Sequence, residues 1–168
     1  GPTREAIDPI RYISNRSSGK MGYAMASAFS SFGCDVTLIS GPSHLPAPDG
    51  IKMVKVESTQ EMFEAVHNNL PKVEIFISAA AVSDYQCDNL SNQKIKKQGE
   101  TLSLKLTKSP DILSSVAEQK KPPFTVGFAA ETENLKKYAK EKLRLKSLDM
   151  IIANKVGKNL GFEVDENA

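Results

Sequence analysis

The sequence predicts one α/β domain built on a mostly parallel sheet with helices packed on its faces. Three observations carry that prediction. Strand-like and helix-like hydrophobic patterns alternate along the chain, the order that parallel strands joined by crossover helices require. The run Val73 to Val82 is almost continuously apolar, as a central strand covered on both faces should be. A length of 168 residues suits one hydrophobic core and leaves little for a second.

Each element has its own local reason. Ser18 to Phe32 sets Met21, Ala24, Met25, Ala28 and Phe29 at helical spacing, and Gly33 stands where a C-terminal cap belongs. Asp35 to Ser40 is the next strand, and Gly41 to Gly50, with three prolines, is a surface loop. Ile51 to Val56 alternates apolar residues with lysine as a strand would. Ser58 or Thr59 then caps a helix through Leu70, with Met62, Phe63, Val66 and Leu70 inward.

After the central strand, Ser83 to Gln98 is polar and reads as a long loop, and long loops inside compact domains tend to carry function. Leu102, Leu104 and Leu106 alternate with Ser103, Lys105 and Thr107, predicting a strand with one wet face. Pro110 takes the first position of a helix that ends before Pro122. Phe124 to Ala129 is a buried strand, Thr132 to Lys146 a helix with Leu135, Tyr138, Ala139 and Leu143 inward, and Met150 to Ala153 the last strand. No internal repeat is visible.

Composition removes several classes of function. Hydrophobic residues at 40% and charged residues at 25% are globular, not disordered, values. The net charge of +2 argues against a nucleic-acid surface, while the lysine-rich stretch from Lys94 to Lys158 suits a small anion such as a nucleotide. Cys34, Cys87, His44 and His67 lack metal-site or redox spacing, so the thiols are read as reduced and no structural metal is expected. The longest apolar run, Ile75 to Val82, is far short of the roughly 20 residues a membrane span needs. With no signal peptide visible, the expectation is a cytoplasmic protein.

Two segments carry chemistry. Ser14 to Gly22 runs small polar residues directly into a helix, where free amides and the helix dipole favour an anion and glycine lets a phosphate approach. The same letters also fit an ordinary Ser-capped helix. They are neither a Walker A loop, since Ser14 and Met21 occupy defining places, nor a dinucleotide fingerprint, since Ser17 replaces its first glycine. Tyr138 and Lys142 form Tyr-x-x-x-Lys, but Tyr138 falls on the apolar stripe of its helix and reads as core.

The second segment, Ser78 to Tyr85, lies at the carboxyl end of the central strand, where open α/β sheets bind ligands. Three alanines leave room, and Asp84 either meets a ribose or Mg²⁺ or caps a helix. Lys94, Lys96 and Lys97, Lys108, and the pair Lys142 and Lys146 are either solvated or arranged around phosphates.

Read together, GPTREAIDPIRYISNRSSGKMG, SAAAVSDY, KIKK, KSPDI, VGFAAET and DMIIANKV resemble the bacterial CTP-dependent phosphopantothenoylcysteine synthetase family in order and spacing over nearly the whole chain. The resemblance implies a Rossmann-like, doubly wound fold with an extra strand arm for dimerisation, for which Leu102 to Lys108 is the candidate. It implies one ligase domain over 1–168 that lacks the family's first strand, before Gly1, and its C-terminal strand and helix, after Ala168. It also implies a fused or associated flavin-dependent decarboxylase, with no flavin in this domain.

The implied reaction joins 4′-phosphopantothenate to L-cysteine. CTP first forms an acyl-cytidylate with loss of pyrophosphate, and the cysteine amine then releases CMP. By the same resemblance Asn15 holds the acyl-cytidylate, with Arg11 beside it and Ala80 lining the phosphopantothenate region. Ser17, Ser18 and Gly19 meet phosphates, and Lys94 is the lid lysine of the first step. Ser78, Asp84, Lys108, Ser109, Pro110, Phe128, Lys142 and Lys146 surround CTP. Mg²⁺ is expected with the triphosphate, its protein ligands not readable from residue types. A nicotinamide-dependent reductase and a non-catalytic nucleotide-binding module are the rival classes.

Overall fold

The computed structural model describes residues 1–97 and 99–155. In chain order these form β1 (Arg4–Ala6), β2 (Tyr12–Ser14), α1 (Lys20–Ser31), β3 (Thr37–Ser40), β4 (Lys52–Lys55), α2 (Thr59–Asn69), β5 (Ile75–Ser78), β6 (Tyr85–Cys87), β7 (Leu106–Lys108), α3 (Ile112–Ala117), β8 (Phe124–Glu131), α4 (Leu135–Leu145) and β9 (Met150–Lys155). Lys158, the end of the lysine-rich stretch, lies outside the described residues.

Two parallel ladders form the scaffold, β3 with β4 and β5-β8-β9. Residues 1–4 run between them at their carboxyl ends: the Arg4 N–H donates to the Glu57 carbonyl at 2.8 Å and the Thr3 N–H to the Ala81 carbonyl at 3.3 Å. Two antiparallel pairs, β1 with β2 and β6 with β7, complete the described sheet structure.

Local chemistry sets the helix ends. Gly33, at φ 84°, closes α1, with its N–H on the Ser30 carbonyl and the Cys34 N–H on that of Phe29. Only glycine adopts that backbone at little cost. Ser58 caps α2 by accepting from the Glu61 N–H at 3.1 Å, as the sequence predicts. Met62 and Val66 of α2 meet Ile112 and Val116 of α3 in one buried cluster, against which Ile39, Phe63, Leu70, Phe76, Ala80 and Val82 pack. Along β8 and β9 lies α4.

A buried polar network ties β1 to α2. The Thr59 hydroxyl donates to Glu5 Oε1 at 2.7 Å, and the Thr59 N–H donates to the same oxygen at 3.0 Å. Thr59 Oγ1 is thereby left to accept from Thr3 Oγ1 at 3.1 Å, and Thr3 Oγ1 accepts from the Ser83 N–H at 2.9 Å. Every proton has one destination, so the network is satisfied as buried polar groups must be.

Several expectations change. On α1 the buried residues are Tyr23 and Ala26, while Ala24 and Ala28 of the expected stripe are exposed, because the face that meets the sheet is rotated from the one the small apolar residues mark. The central strand ends at Ser78, not Val82, because the Ala81 and Val82 carbonyls serve Thr3 and Asn15 instead of a ladder. The long loop after it contains β6. Of the alternating leucine segment only Leu106–Lys108 pairs, and Leu102 and Leu104 are 57% and 39% exposed. Pro110 precedes its helix: Asp111 is the N-cap, accepting from the Ser114 N–H. Tyr138, read as core, is 42% exposed, and Ala139 takes the buried position on α4.

Candidate active site

The site gathers at the carboxyl ends of β5 and β8, in two connected groups. In the first, α1 opens at Gly19, whose φ is 81° and which has no side-chain cap. A Cβ on Gly19 would approach Gly1 Cα to 3.1 Å, so the tight chain crossing there requires glycine. Ser17 and Ser18 bend the approach, their hydroxyls accepting from the Gly19 and Lys20 N–H groups at 3.3 Å each. Gly22 sets this helix start against Ala79, immediately after β5.

Asn15 faces the same turn. Its Nδ2 donates to the carbonyls of Ala81 at 3.3 Å and Val82 at 3.0 Å. Two carbonyl acceptors fix which end of the amide is nitrogen, so Oδ1 is the end left for a ligand. Ala80 packs partly into the α2–α3 cluster, a wall behind this group.

The second group surrounds Lys142. Its Nζ donates to the Phe128 carbonyl at 2.7 Å, and burial followed by the nearby positive charge of Lys146 pulls its pKa below the ordinary lysine value. Asp84, Glu131 and Asp111 oppose that shift from facing positions. Lys146 itself bridges to Asp111 at 2.9 Å. Burial pushes the Asp111 carboxyl up, but Lys146 and the bonds from Ser114 leave it below the usual range.

Lys108 pairs with Tyr85 across the β6–β7 ladder, and the next N–H, that of Ser109, donates to the Asp84 carbonyl at 2.9 Å. Ser109 Oγ is buried with no hydrogen-bond partner among the described residues. An orphaned buried hydroxyl costs about 1–3 kcal/mol, which a polar ligand atom would recover.

The contacts thus connect Asn15, Ser17, Ser18 and Gly19 on one side, with Ser78 ending β5 and Ala80 just after it, and Asp84, Lys108, Ser109, Phe128, Lys142 and Lys146 on the other, with Pro110 next in the chain. The peptide from Val82 to Asp84 joins the two sides. Lys94 is exposed and belongs to neither group; its neighbour Ile95 exchanges hydrogen bonds with Asp8 and Arg11, which also keeps Arg11 on the hairpin. His67 is occupied structurally by Ser115 at 2.9 Å, and Cys34 and Cys87 are free thiols.

Two participants were invisible to sequence reasoning. Glu131 faces Lys142 only because β8 runs two residues past the predicted Ala129. Asp8 signals itself weakly, as the Asp-Pro of a turn, IDPIR, a pattern suited to a side chain bonding its own backbone.

With this geometry in place, comparison with known proteins gives the family. The description "DNA/pantothenate metabolism flavoprotein C-terminal domain" matches residues 1–168. The chain belongs to this family. It is 55% identical over 169 residues to the coenzyme A biosynthesis bifunctional protein CoaBC of Haemophilus influenzae, covering 100% of this chain and 42% of that protein. Against the CoaBC of Escherichia coli K12 the identity is 49% over 173 residues, with 100% and 43% covered. The chain therefore spans less than half the length of these relatives. A crystal structure of the C-terminal domain of CoaBC superposes with a TM-score of 0.82 at 43% identity, covering 92% of this chain and 73% of the other. The Rossmann-like, mostly parallel fold that the resemblance to the synthetase family implied is thus the one found.

Proposed function

We propose that this domain is a phosphopantothenate–cysteine ligase that activates its acid with CTP and releases pyrophosphate, then CMP. The observation that carries the reading is the second group: a partly buried Lys142, bonded to the Phe128 carbonyl of β8, and an orphaned Ser109 hydroxyl, with Asp84 close to both residues. A cation held in a desolvated place and an unsatisfied hydroxyl suit a nucleoside triphosphate better than a neutral ligand. The uncapped start of α1 adds a second anion-binding element, and the relatives are named for coenzyme A biosynthesis.

The chain's own residues divide the work by reaction half. In the first, the substrate carboxylate oxygen attacks the α-phosphorus and pyrophosphate departs. Lys94, on its tethered segment, neutralises the leaving charge, while Lys142, Lys146, Ser109 and the α1 amides hold the nucleotide. In the second, the cysteine amine attacks the acyl carbon, the CMP oxygen leaves, and the amine proton is lost. Asn15 Oδ1 is oriented to accept from that amine, with Arg11 and Ala80 bounding the acyl group.

Mg²⁺ would screen the triphosphate when bound. The described residues hold no cluster of three His, Cys, Asp or Glu side chains, so Asp84 and Glu131 would supply carboxylates while phosphate and water complete the shell. The exposed Leu102 and Leu104, with Tyr85 and Leu106 on the β6–β7 ladder, form the arm we assign to a homodimer. A fused or associated flavin-dependent decarboxylase is the partner the bifunctional relatives suggest. No helix among the described residues is long and apolar enough to cross a membrane, and cytoplasmic action is part of this proposal.

Pyrophosphate release measured across the four nucleoside triphosphates tests the reading. CTP alone should support release dependent on phosphopantothenate, with CMP formed only when cysteine is added. Tight NADPH binding without CTP turnover would overturn it.

A further inference from the structure

Asp8 carries more than its turn needs. Oδ1 alone closes the β1–β2 connection, accepting from the N–H groups of Ile10 and Arg11 at 2.9 Å each. Oδ2 is left over: it accepts from Arg11 Nε at 2.9 Å and from a second guanidinium nitrogen of Arg11, and, from outside the hairpin, from the Ile95 N–H at 3.1 Å. Arg11 then donates to the Ile95 carbonyl at 3.0 Å, so both backbone groups of Ile95 are held. A second seam joins the Ser91 N–H to the Ile7 carbonyl at 3.3 Å. The Asp8 side chain is fully buried, and a buried carboxylate keeps its charge only with partners such as these.

We infer that Asp8 is a positioning residue, whose second oxygen fixes the segment bearing Lys94 to the hairpin that leads into Asn15. The inference rests on the ligase reading for what the coupling achieves, but not for the tether itself. Losing one carboxylate oxygen would free Ile95, and Lys94 would spend less time where the leaving pyrophosphate forms.

Asp8→Asn is the discriminating variant. Its Oδ1 can keep the turn, while its Nδ2 becomes a donor facing the N–H groups of Arg11 and Ile95. The peptide bond after Lys94 contains the tethered Ile95 nitrogen, so limited trypsin digestion of the full chain, without nucleotide, reports the tether directly. Cleavage after Lys94 should rise about tenfold, with the exposed Lys120 as an internal control that stays constant. In turnover, kcat for pyrophosphate release should fall by about 30-fold, with KM for CTP within about twofold.

Ile95→Pro removes the same N–H without touching the buried carboxylate. It should reproduce the kcat loss and raise cleavage after Lys96, and it keeps the test open should Asp8→Asn fail to fold. Unchanged cleavage in both variants overturns the tether. Raised cleavage with unchanged kcat overturns the positioning role. If the parent protein released no pyrophosphate at all, the ligase reading would fall, and the cleavage ratio would still decide the tether.

Discussion

β8 runs eight residues between β5 and β9 and buries Val126 and Ala129, whereas each strand of the β1–β2 hairpin has three residues and depends on two buried carboxylates. In the ladder, stabilisation is spread over many apolar contacts, so one lost methyl costs a share of it. At the rim it is concentrated in Asp8, whose two oxygens each serve at least two donors, and in Glu5, whose Oε1 serves two. The contrast separates holding the fold from holding the chemistry. Substitutions in the ladder should move stability and leave rates alone, whereas substitutions of rim side chains that hold no buried network, such as Lys94 and Asn15, should move rates with little change in stability.

The largest effect expected is at the rim. Lys94→Gln should slow pyrophosphate release about 100-fold, as loss of one charge-stabilising group typically does, with an unchanged unfolding midpoint. Asn15→Asp tests the opposite half: its carboxylate would face the Ala81 and Val82 carbonyls, turn away, and let the acyl-cytidylate accumulate. Quenched-flow analysis of CMP and the intermediate reads both, and a lowered midpoint in either variant would blur the division.

In the core packed beside the ladder, Val116 of α3 is 0% exposed, and Val116→Ala should cost about 2 kcal/mol of stability in urea unfolding. Its KM for CTP should match the parent, and a large change there would mean that core and site are mechanically one.

The smallest effect is a crossing of signs at Lys142. Its folded pKa lies below the ordinary 10.5 because of burial and Lys146. Between those two values the unfolded chain binds more protons, so this residue's contribution to stability rises with pH. Turnover should fall across the same window as the cation is lost. Lys142→Arg, charged throughout, should move the alkaline fall in rate upward.

How much of this the sequence displays follows the same division. The Gly33 stop, the Ser58 cap and the inner face of α2 depend on local periodicity and capping, which neighbouring letters reveal, whereas the α1 stripe reads one residue off, because Tyr23 and Ala26 take the buried positions. Val73 to Val82 overran because apolar character cannot tell a ladder residue from Ala81 or Val82, whose carbonyls bond side chains and loops. Three-residue strands such as β1 and β6 are too short for a period. Tyr138 looked inward because the helical stripe, in the absence of the packed neighbours, does not say how wide the buried face is.

Among site residues, Asn15, Ser17 to Gly19, Asp84, Ser109, Lys142 and Lys146 fall at element ends that the pattern places at one edge of the sheet. Asp8 does not: its importance depends on a residue 87 positions away, a pairing no window of sequence contains. Glu131 was hidden by a strand end, the least predictable feature of any element.

The bond from Lys142 to the Phe128 carbonyl has a further meaning. The lysine already has a surrogate for its anion, supplied by the backbone, so the pocket is competitive before any ligand arrives. A single phosphate would trade one good acceptor for another at little gain, while on the proposed reading a triphosphate would engage Lys146 and the start of α1 as well as Lys142. If the proposed site is right, the carbonyl would act as a threshold that favours polyanions, and inorganic phosphate should be a feeble inhibitor where pyrophosphate is an effective one.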